Sequence, residues 1–197
     1  MIDLNLLLEF GGEHRKVKKN ELIFEEGTFP AFYYQIVEGE VKMNNFTEDG
    51  KEFIQNIFTQ GQSFGEPPLF IDEPYPANAV AITPSVLMQI PKNAFYSLLN
   101  QYPEVSFAIN KSLARRLYYK SVMAPEISSQ DPEKRLLTLM DYLKSHYNED
   151  LKEEYIIPMT RQQLADLTGL RVETVIRTIK HLERRGELKI IQRKIYR

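Results

Sequence analysis

Near its C-terminal end the chain reads TRQQLADLTGLRVETVIRTIKHLE over residues 160–183. Glu173, Ile176, Arg177 and Lys180 fall three or four residues apart, so on a helix they share one face. Their chemistry matches the edges of DNA bases. An arginine donates two hydrogen bonds to guanine O6 and N7, a carboxylate accepts from the cytosine amino group, and an aliphatic side chain packs on the thymine methyl. Glu173 and Arg177 are therefore candidate base readers, with Val172 and Ile176 as apolar neighbours. The plainer reading is a Glu173–Arg177 surface salt bridge, worth only about 0.2–0.5 kcal/mol. Thr160, Arg161, Gln162, Arg171 and Lys180 are candidates for phosphate contacts, which fix register without carrying sequence information. Arg171 precedes the helix at its cap, where a positive charge opposes the helix dipole and a DNA phosphate would reverse the sign of that term.

The surrounding residues supply the elements that hold this face. Thr160 and Gln163 form a capping box that starts a helix at Arg161, running to about Leu167 and burying Leu164 and Ala165. Gly169 provides the positive φ of a tight turn. A second helix follows from about Val172, burying Val175, Ile179 and Leu182. Two short helices about such a turn make a helix-turn-helix. A turn at Gly186 and strands over 188–191 and 194–196 complete a winged helix-turn-helix.

Charge sorts along the chain in the same way. The total of 25 Lys+Arg against 27 Asp+Glu gives a net of −2, which by itself argues against a phosphate-rich partner. Residues 1–158, however, hold 15 basic and 23 acidic residues, net −8, while residues 159–197 hold 10 and 4, net +6. The absence of cysteine excludes disulfides, thiolate nucleophiles, cysteine zinc sites and cysteine-held iron–sulfur clusters. No apolar run approaches the roughly 18 residues of a membrane span, and the acidic start lacks a signal-peptide n-region. A cytoplasmic protein is expected, without membrane association.

Over the first hundred residues Gly27, Gly39, Gly50 and Gly61 recur at steps of 11 or 12, separating β-rich segments at 32–37, 40–46 and 52–58. Further strands lie around a turn at Pro84 and Ser85. This spacing predicts an all-β module of short strands, a sandwich or barrel. Helical patterning begins at Lys92. Pro103 opens a long helix in which Val105, Ile109, Leu113 and Leu117 form one apolar stripe and Ala114, Tyr118 and Val122 another, with Pro125 ending it. Two stripes exceed what one partner covers, so the helix is expected to lie between its own barrel and a twin, the alternative being a helix packed inside a monomer. Ser129 or Asp131 caps the next helix, from Pro132 to about His146, before a polar loop over 146–154 and a short strand at 155–158.

In this order the chain resembles the CRP/FNR family of bacterial transcription regulators, over essentially its whole length. The residues that carry the resemblance are YQIVEGEVKM at 34–43, FGEPPLF at 64–70, ARRL at 114–117 and, most specific, the helix-turn-helix itself. It implies an α+β fold: an N-terminal double-stranded β-helix (jelly-roll) domain over 1–101, a dimerisation helix and hinge over 102–127, and a winged helix-turn-helix over 128–197. It implies a homodimer on double-stranded DNA, with an inverted-repeat site and RNA polymerase as a further partner to consider. In that family the Glu and Arg of E-x-x-x-R read a TTGA- or GTGA-like half-site, which implicates Glu173 and Arg177. Val172 looks like the FNR branch, while Ile176 departs from the Ser common there.

The sensor half departs from the cyclic-AMP branch. Gly65, Glu66 and Leu69 match its G-E-x-x-L pattern, but the Arg-Ser/Thr-Ala phosphate cassette is replaced by Pro74-Tyr75-Pro76-Ala77-Asn78-Ala79, and no Arg or Lys occurs over 53–91. A buried phosphate without a cation is heavily penalised, so cyclic AMP is not expected to bind in the usual mode. Lys120 stands where the family's adenine-contacting Thr falls, and with Ser121, Gly65, Glu66 and Leu69 it marks the candidate effector pocket. Glu66 has the alternative of a structural carboxylate. Haem sensing is unsupported, since His14, His146 and His181 are expected outside the strands. No cofactor, metal or enzymatic activity is expected, and the effector is unidentified. A cupin-like β-barrel protein would need clustered His ligands that this spacing lacks. An interaction module with a non-DNA-binding helical tail is the other alternative. Any inducer would act through a hinge near 129–131.

Overall fold

Gly27, Gly39, Gly50 and Gly61 all adopt positive φ, and the segments they separate extend as strands. The structure is a computed structural model that describes residues 2–50, 52–129, 131–147 and 154–197. A short helix α1 (Leu4–Glu9), capped by the Asp3 carboxylate, precedes β1 (Glu13–Val17), β2 (Leu22–Phe24), β3 (Phe32–Glu38), β4 (Glu40–Phe46), β5 (Glu52–Thr59) and β6 (Ser63–Phe64). Helix α2 (Glu66–Ile71) leads into β7 (Asn78–Ala81) and β8 (Ser85–Pro91), followed by α3 (Lys92–Gln101) and the long helix α4 (Pro103–Ser129). The chain divides into two compact units, Met1–Ala114 and Arg115–Arg197.

The first unit is a jelly roll of two four-stranded sheets, ordered β1-β8-β3-β6 and β2-β7-β4-β5, with every pairing antiparallel. It is not a closed barrel. Strands β2 and β6, each at a sheet edge, contribute only two paired residues, Leu22 and Phe24 in one and Ser63 and Phe64 in the other. So short a ladder cannot continue the hydrogen bonding around a ring. Between the sheets lies a core that includes Val17, Phe24, Tyr34, Ile36, Val41, Phe58, Phe64, Tyr75 and Leu87. The opposite face of the β3–β8 sheet is covered by α1, α3 and the first part of α4 through Leu7, Tyr33, Met88, Phe95, Leu98 and Ile109. Burial on both faces explains why β3 reads as a nearly continuous apolar run. The polar Gln35 within it is satisfied: its amide accepts from the Ile2 N–H at 3.1 Å and donates to the Ile2 carbonyl at 2.9 Å.

Two expectations fail here. His14 lies inside β1, with its side chain exposed. Four of the five residues of this edge strand are at least partly exposed, so the sequence offers no apolar alternation to reveal it. Pro125, expected to end α4, lies inside it. Proline withholds the N–H that would bond the Ser121 carbonyl, but that loss is local and the helix runs on to Ser129. Val105, Ile109 and Leu113 pack into the core as a stripe. Leu117, which would extend that stripe, is 67% exposed.

The second unit continues with α5 (Pro132–Tyr147), β9 (Ile156–Ile157), α6 (Arg161–Thr168), α7 (Val172–Arg184), β10 (Lys189–Ile191) and β11 (Lys194–Tyr196). Asp131, rather than Ser129, caps α5, accepting from the Glu133 N–H at 2.9 Å. Its core is Leu136, Leu139, Met140, Leu164, Ala165, Val175, Ile179, Leu182, Leu188 and Ile195. The antiparallel sheet β10-β11-β9 forms the wing. Of the loop expected over 146–154, residues 148–153 lie outside the described residues, as does Gln130 of the expected hinge.

Candidate nucleic-acid interface

Helix α6 begins with both halves of the capping box. The Thr160 hydroxyl accepts from the Gln163 N–H at 3.1 Å, and the Gln163 side chain accepts from the Thr160 N–H at 2.8 Å. It ends at Gly169, whose φ of +69° permits the reversal. The buried Arg135 donates to the Thr168 carbonyl at 2.9 Å, placing a cation against the negative end of the helix dipole. The chain thus enters α7 at a fixed angle.

On α7, Val175, Thr178, Ile179 and Leu182 are buried while Glu173, Ile176, Arg177 and Lys180 are exposed. This division is what the 3.6-residue period requires of a helix with one packed face. Val172 is half-buried beside Glu173. Glu173 and Arg177 form no salt bridge with each other, and neither they nor Arg171 and Lys180 have a side-chain hydrogen bond or ion pair among the described residues. Arg171 sits at the N-cap with no side-chain cap bond, leaving the first N–H groups of α7 open.

Three other cations of this unit are committed elsewhere. Arg185 pairs with Glu133 at 2.7 Å, and Lys189 pairs with Glu154. Arg197 grips Asp141 through two bonds of 2.6 and 2.9 Å and donates to the Glu187 carbonyl at 2.6 Å. That pairing with Asp141 holds the Arg197 guanidinium still more firmly charged than usual. The paired cations brace the fold, while Arg177 and Lys180 stand unpaired on the outward face of α7 and Arg193 and Lys194 on the wing, among the described residues.

Besides Thr160 in its capping box, two further residues expected to touch phosphate have protein partners. Gln162 donates to the buried Asp166 at 2.8 Å. Arg161, half-buried, donates through Nη1 to the Arg193 carbonyl at 2.6 Å. Arg193 and Gln192 form the two-residue loop between Ile191 and Lys194, which pair across the hairpin. Both have positive φ, +49° at Gln192 and +66° at Arg193. Such a turn normally uses Asn-Gly, and a left-handed conformation costs other residues about 1–2 kcal/mol each. Sequence reasoning did not single out Gln192 and Arg193. The two-residue gap between the wing strands was the available signal.

The expected effector residues are spread over both units. Gly65 has φ +76°, and a Cβ there would meet Phe24 at 3.0 Å and Tyr75 at 3.2 Å. Glu66 is buried and accepts from the Ser63 hydroxyl, and Leu69 is buried as well. Lys120 is exposed, and Ser121 donates to the Leu117 carbonyl at 3.0 Å. The space beside Gly65 is filled with rings. Phe24 stacks on Tyr75 at 3.6 Å and 7°, and Tyr34 on Phe64 at 5.5 Å and 13°. Burial raises the Tyr34 and Tyr75 hydroxyls above their ordinary pKa, with the charges of Tyr34 and Glu66 adding to the effect at Tyr75 and Arg15 opposing it at Tyr34. Arg15 itself is engaged with Glu21 at 3.6 Å and the Ile23 carbonyl at 3.4 Å. An open cleft of about 400 Å³ lies elsewhere on the first unit, lined by Ile2, Asp3, Gln35, Ile36, Gln60 and Gly61.

Comparison with known proteins matches residues 14–102 to the cyclic nucleotide-binding domain and residues 134–196 to the Crp-like helix-turn-helix domain. The cAMP-activated global transcriptional regulator CRP of Haemophilus influenzae is 30% identical over 173 residues, which are 86% of this chain and 76% of that protein. The chain belongs to the CRP/FNR family of transcription regulators. Within this CRP/FNR regulator, α6 and α7 are the DNA-binding helix-turn-helix and the jelly roll is the cyclic nucleotide-binding-type domain.

Solved structures agree on the fold of the CRP/FNR chain. The c-di-GMP responsive global regulator CLP of Xanthomonas campestris superimposes with a TM-score of 0.75 at 21% identity, covering 96% of each chain. A CooA variant from Carboxydothermus hydrogenoformans gives 0.82 at 15% identity, covering 98% of this chain and 84% of that one. No described helix is long and apolar enough to cross a membrane.

Proposed function

We propose that this regulator binds DNA as a homodimer on an inverted-repeat site, reading bases with Glu173 and Arg177 and without responding to cyclic AMP. The observation that carries the reading is the outward face of α7, where Glu173, Arg177 and Lys180 stand exposed and without side-chain partners among the described residues. Arg177 supplies the two donors that guanine accepts and Glu173 the acceptor for cytosine, with Val172 and Ile176 beside them for a thymine methyl. Thr160, Arg171 and Lys180 set the register on phosphates.

Dimerisation is supported by α4. Phe107, Leu117 and Tyr118 are 73%, 67% and 69% exposed, and with Ala114 they recur on one side of the helix. Two copies joined there would present two α7 helices to major grooves one turn apart, ~34 Å, which calls for an inverted repeat. Against cyclic AMP stand the rings packed beside Gly65 and the absence of any Arg or Lys over 53–91. The relative in Haemophilus influenzae is activated by cAMP; the aromatic packing supports a different response in this chain.

Selection of duplexes from random sequence by the full-length protein tests the reading directly. An inverted repeat bound by two chains is the expected result, and an asymmetric site bound by one chain overturns it. Adding cyclic AMP is expected to leave both the melting temperature and the gel shift unchanged.

A further inference from the structure

The wing is secured at both ends, in two different ways. At its base, Arg197 is paired with Asp141 and Glu187, and the backbones of Tyr155 and Arg197 exchange two hydrogen bonds of 2.9 Å. At its tip, the bond across to the body of the helix-turn-helix among the described residues runs from Arg161 to the Arg193 carbonyl. This bond holds a turn whose two residues both occupy the left-handed region without being glycine. Arg161 is also the first residue of α6, where a positive charge opposes the helix dipole. The Arg193 and Lys194 side chains, by contrast, are exposed and have no hydrogen bond or ion pair among the described residues.

We propose that Arg161 is a positioning residue for DNA binding: by holding the Arg193 carbonyl it sets the wing tip in advance, so that the Arg193 side chain meets a backbone phosphate beside the groove that α7 enters. The inference rests on the DNA-binding reading of α7 and adds to it a second, separately anchored contact. Prior fixing of the tip means that less conformational freedom is lost on binding. It also replaces the simpler expectation that Arg161 itself touches phosphate.

The test is a double-mutant cycle on the full chain with R161A, R193A and the double variant. A labelled duplex carrying the selected site is titrated by fluorescence anisotropy over a range of salt concentrations. R161A is expected to weaken binding about 3–10-fold, as for the loss of one hydrogen bond, with the salt slope unchanged. R193A is expected to weaken binding and reduce the slope of log K against log salt by about 0.9, the signature of one phosphate contact. In the R161A background the R193A effect should shrink to less than half, because the tip is no longer held. Q192N, which accepts positive φ more readily, should recover part of the R161A loss.

If R161A itself lowers the slope by about 0.9 and the R193A effect is the same in both backgrounds, Arg161 contacts phosphate directly and the proposal is overturned. Wild-type affinity in both single variants overturns it as well, by removing the wing from the interface. Failure of the wild-type chain to bind any selected duplex is a different result, which removes the DNA-binding reading itself. Melting curves of each variant separate these outcomes from misfolding, and Q192N rescue gives a second measure at a position outside the Arg161–Arg193 bond.

Discussion

Inside the jelly roll, Phe24, Tyr34, Phe64 and Tyr75 turn inward and pack on one another. On the outer face of α7, Glu173, Arg177 and Lys180 turn outward and bond to nothing among the described residues. The two regions answer opposite questions about a ligand. Rings that already stack at 3.6 Å fill the space beside Gly65, and Arg15, the cation beside Tyr34, is engaged with Glu21 and the Ile23 carbonyl. A helix that exposes charges without protein partners leaves them open to water or to an outside group. Satisfaction of groups, rather than the fold containing them, separates the two regions, since the fold is that of regulators with quite different inputs.

Emptying the roll is the most disruptive way to break this comparison. Phe24→Ala is expected to lower unfolding free energy by about 3–5 kcal/mol in urea titrations, as for other buried Phe truncations. A loss below about 1 kcal/mol would mean that the rings are not tightly packed and the interior is a true cavity. Arg177→Ala is expected to cost about 1–3 kcal/mol on the selected duplex and little on a scrambled one. Equal losses on both would move Arg177 from base reading to the phosphate backbone.

Arg171→Thr should act in two directions at once. The new cap stabilises α7 by up to about 1 kcal/mol in thermal unfolding, while DNA affinity falls and the salt slope drops by about 0.9. An unchanged slope removes Arg171 from the interface. The smallest effect concerns pH. Burial holds the Tyr34 and Tyr75 protons in the folded chain beyond the usual tyrosine range. Above about pH 10 the unfolded chain therefore carries fewer protons, and stability falls as pH rises. Tyr119, half-buried and stacked on Tyr142 at 4.0 Å, contributes in the same direction in the other unit. Tyrosinate absorbance that rises well before unfolding would show those hydroxyls to be open to water.

Legibility in the sequence followed how local each signal was. The capping box at Thr160, the Gly169 turn and the apolar spacing of α7 are decided within a few residues, and their elements were readable. So were β3 and β4, bounded by glycine turns. Strand β1 was invisible because an edge strand needs no apolar alternation, and its pairing with β8 joins residues as distant as Glu13 and Gln89. Pro125 misled because a rule about one lost bond says nothing of the turns on either side. At the candidate site, the exposed face of α7 was legible from spacing alone. The Arg161–Arg193 bond spans 32 positions, and the aromatic filling beside Gly65 joins β2 to the segment before β7. Neither leaves a mark in any short window.

For a protein engineer, the Phe24–Tyr75 stack is a removable part. Truncating one ring leaves an apolar, aromatic-walled void of the kind that stays dry and admits small aromatic molecules. A compound that binds only the folded form restores stability by mass action. The truncated regulator would then be stabilised when that compound is supplied, a starting point for a transcription switch whose chemical input is chosen by the designer.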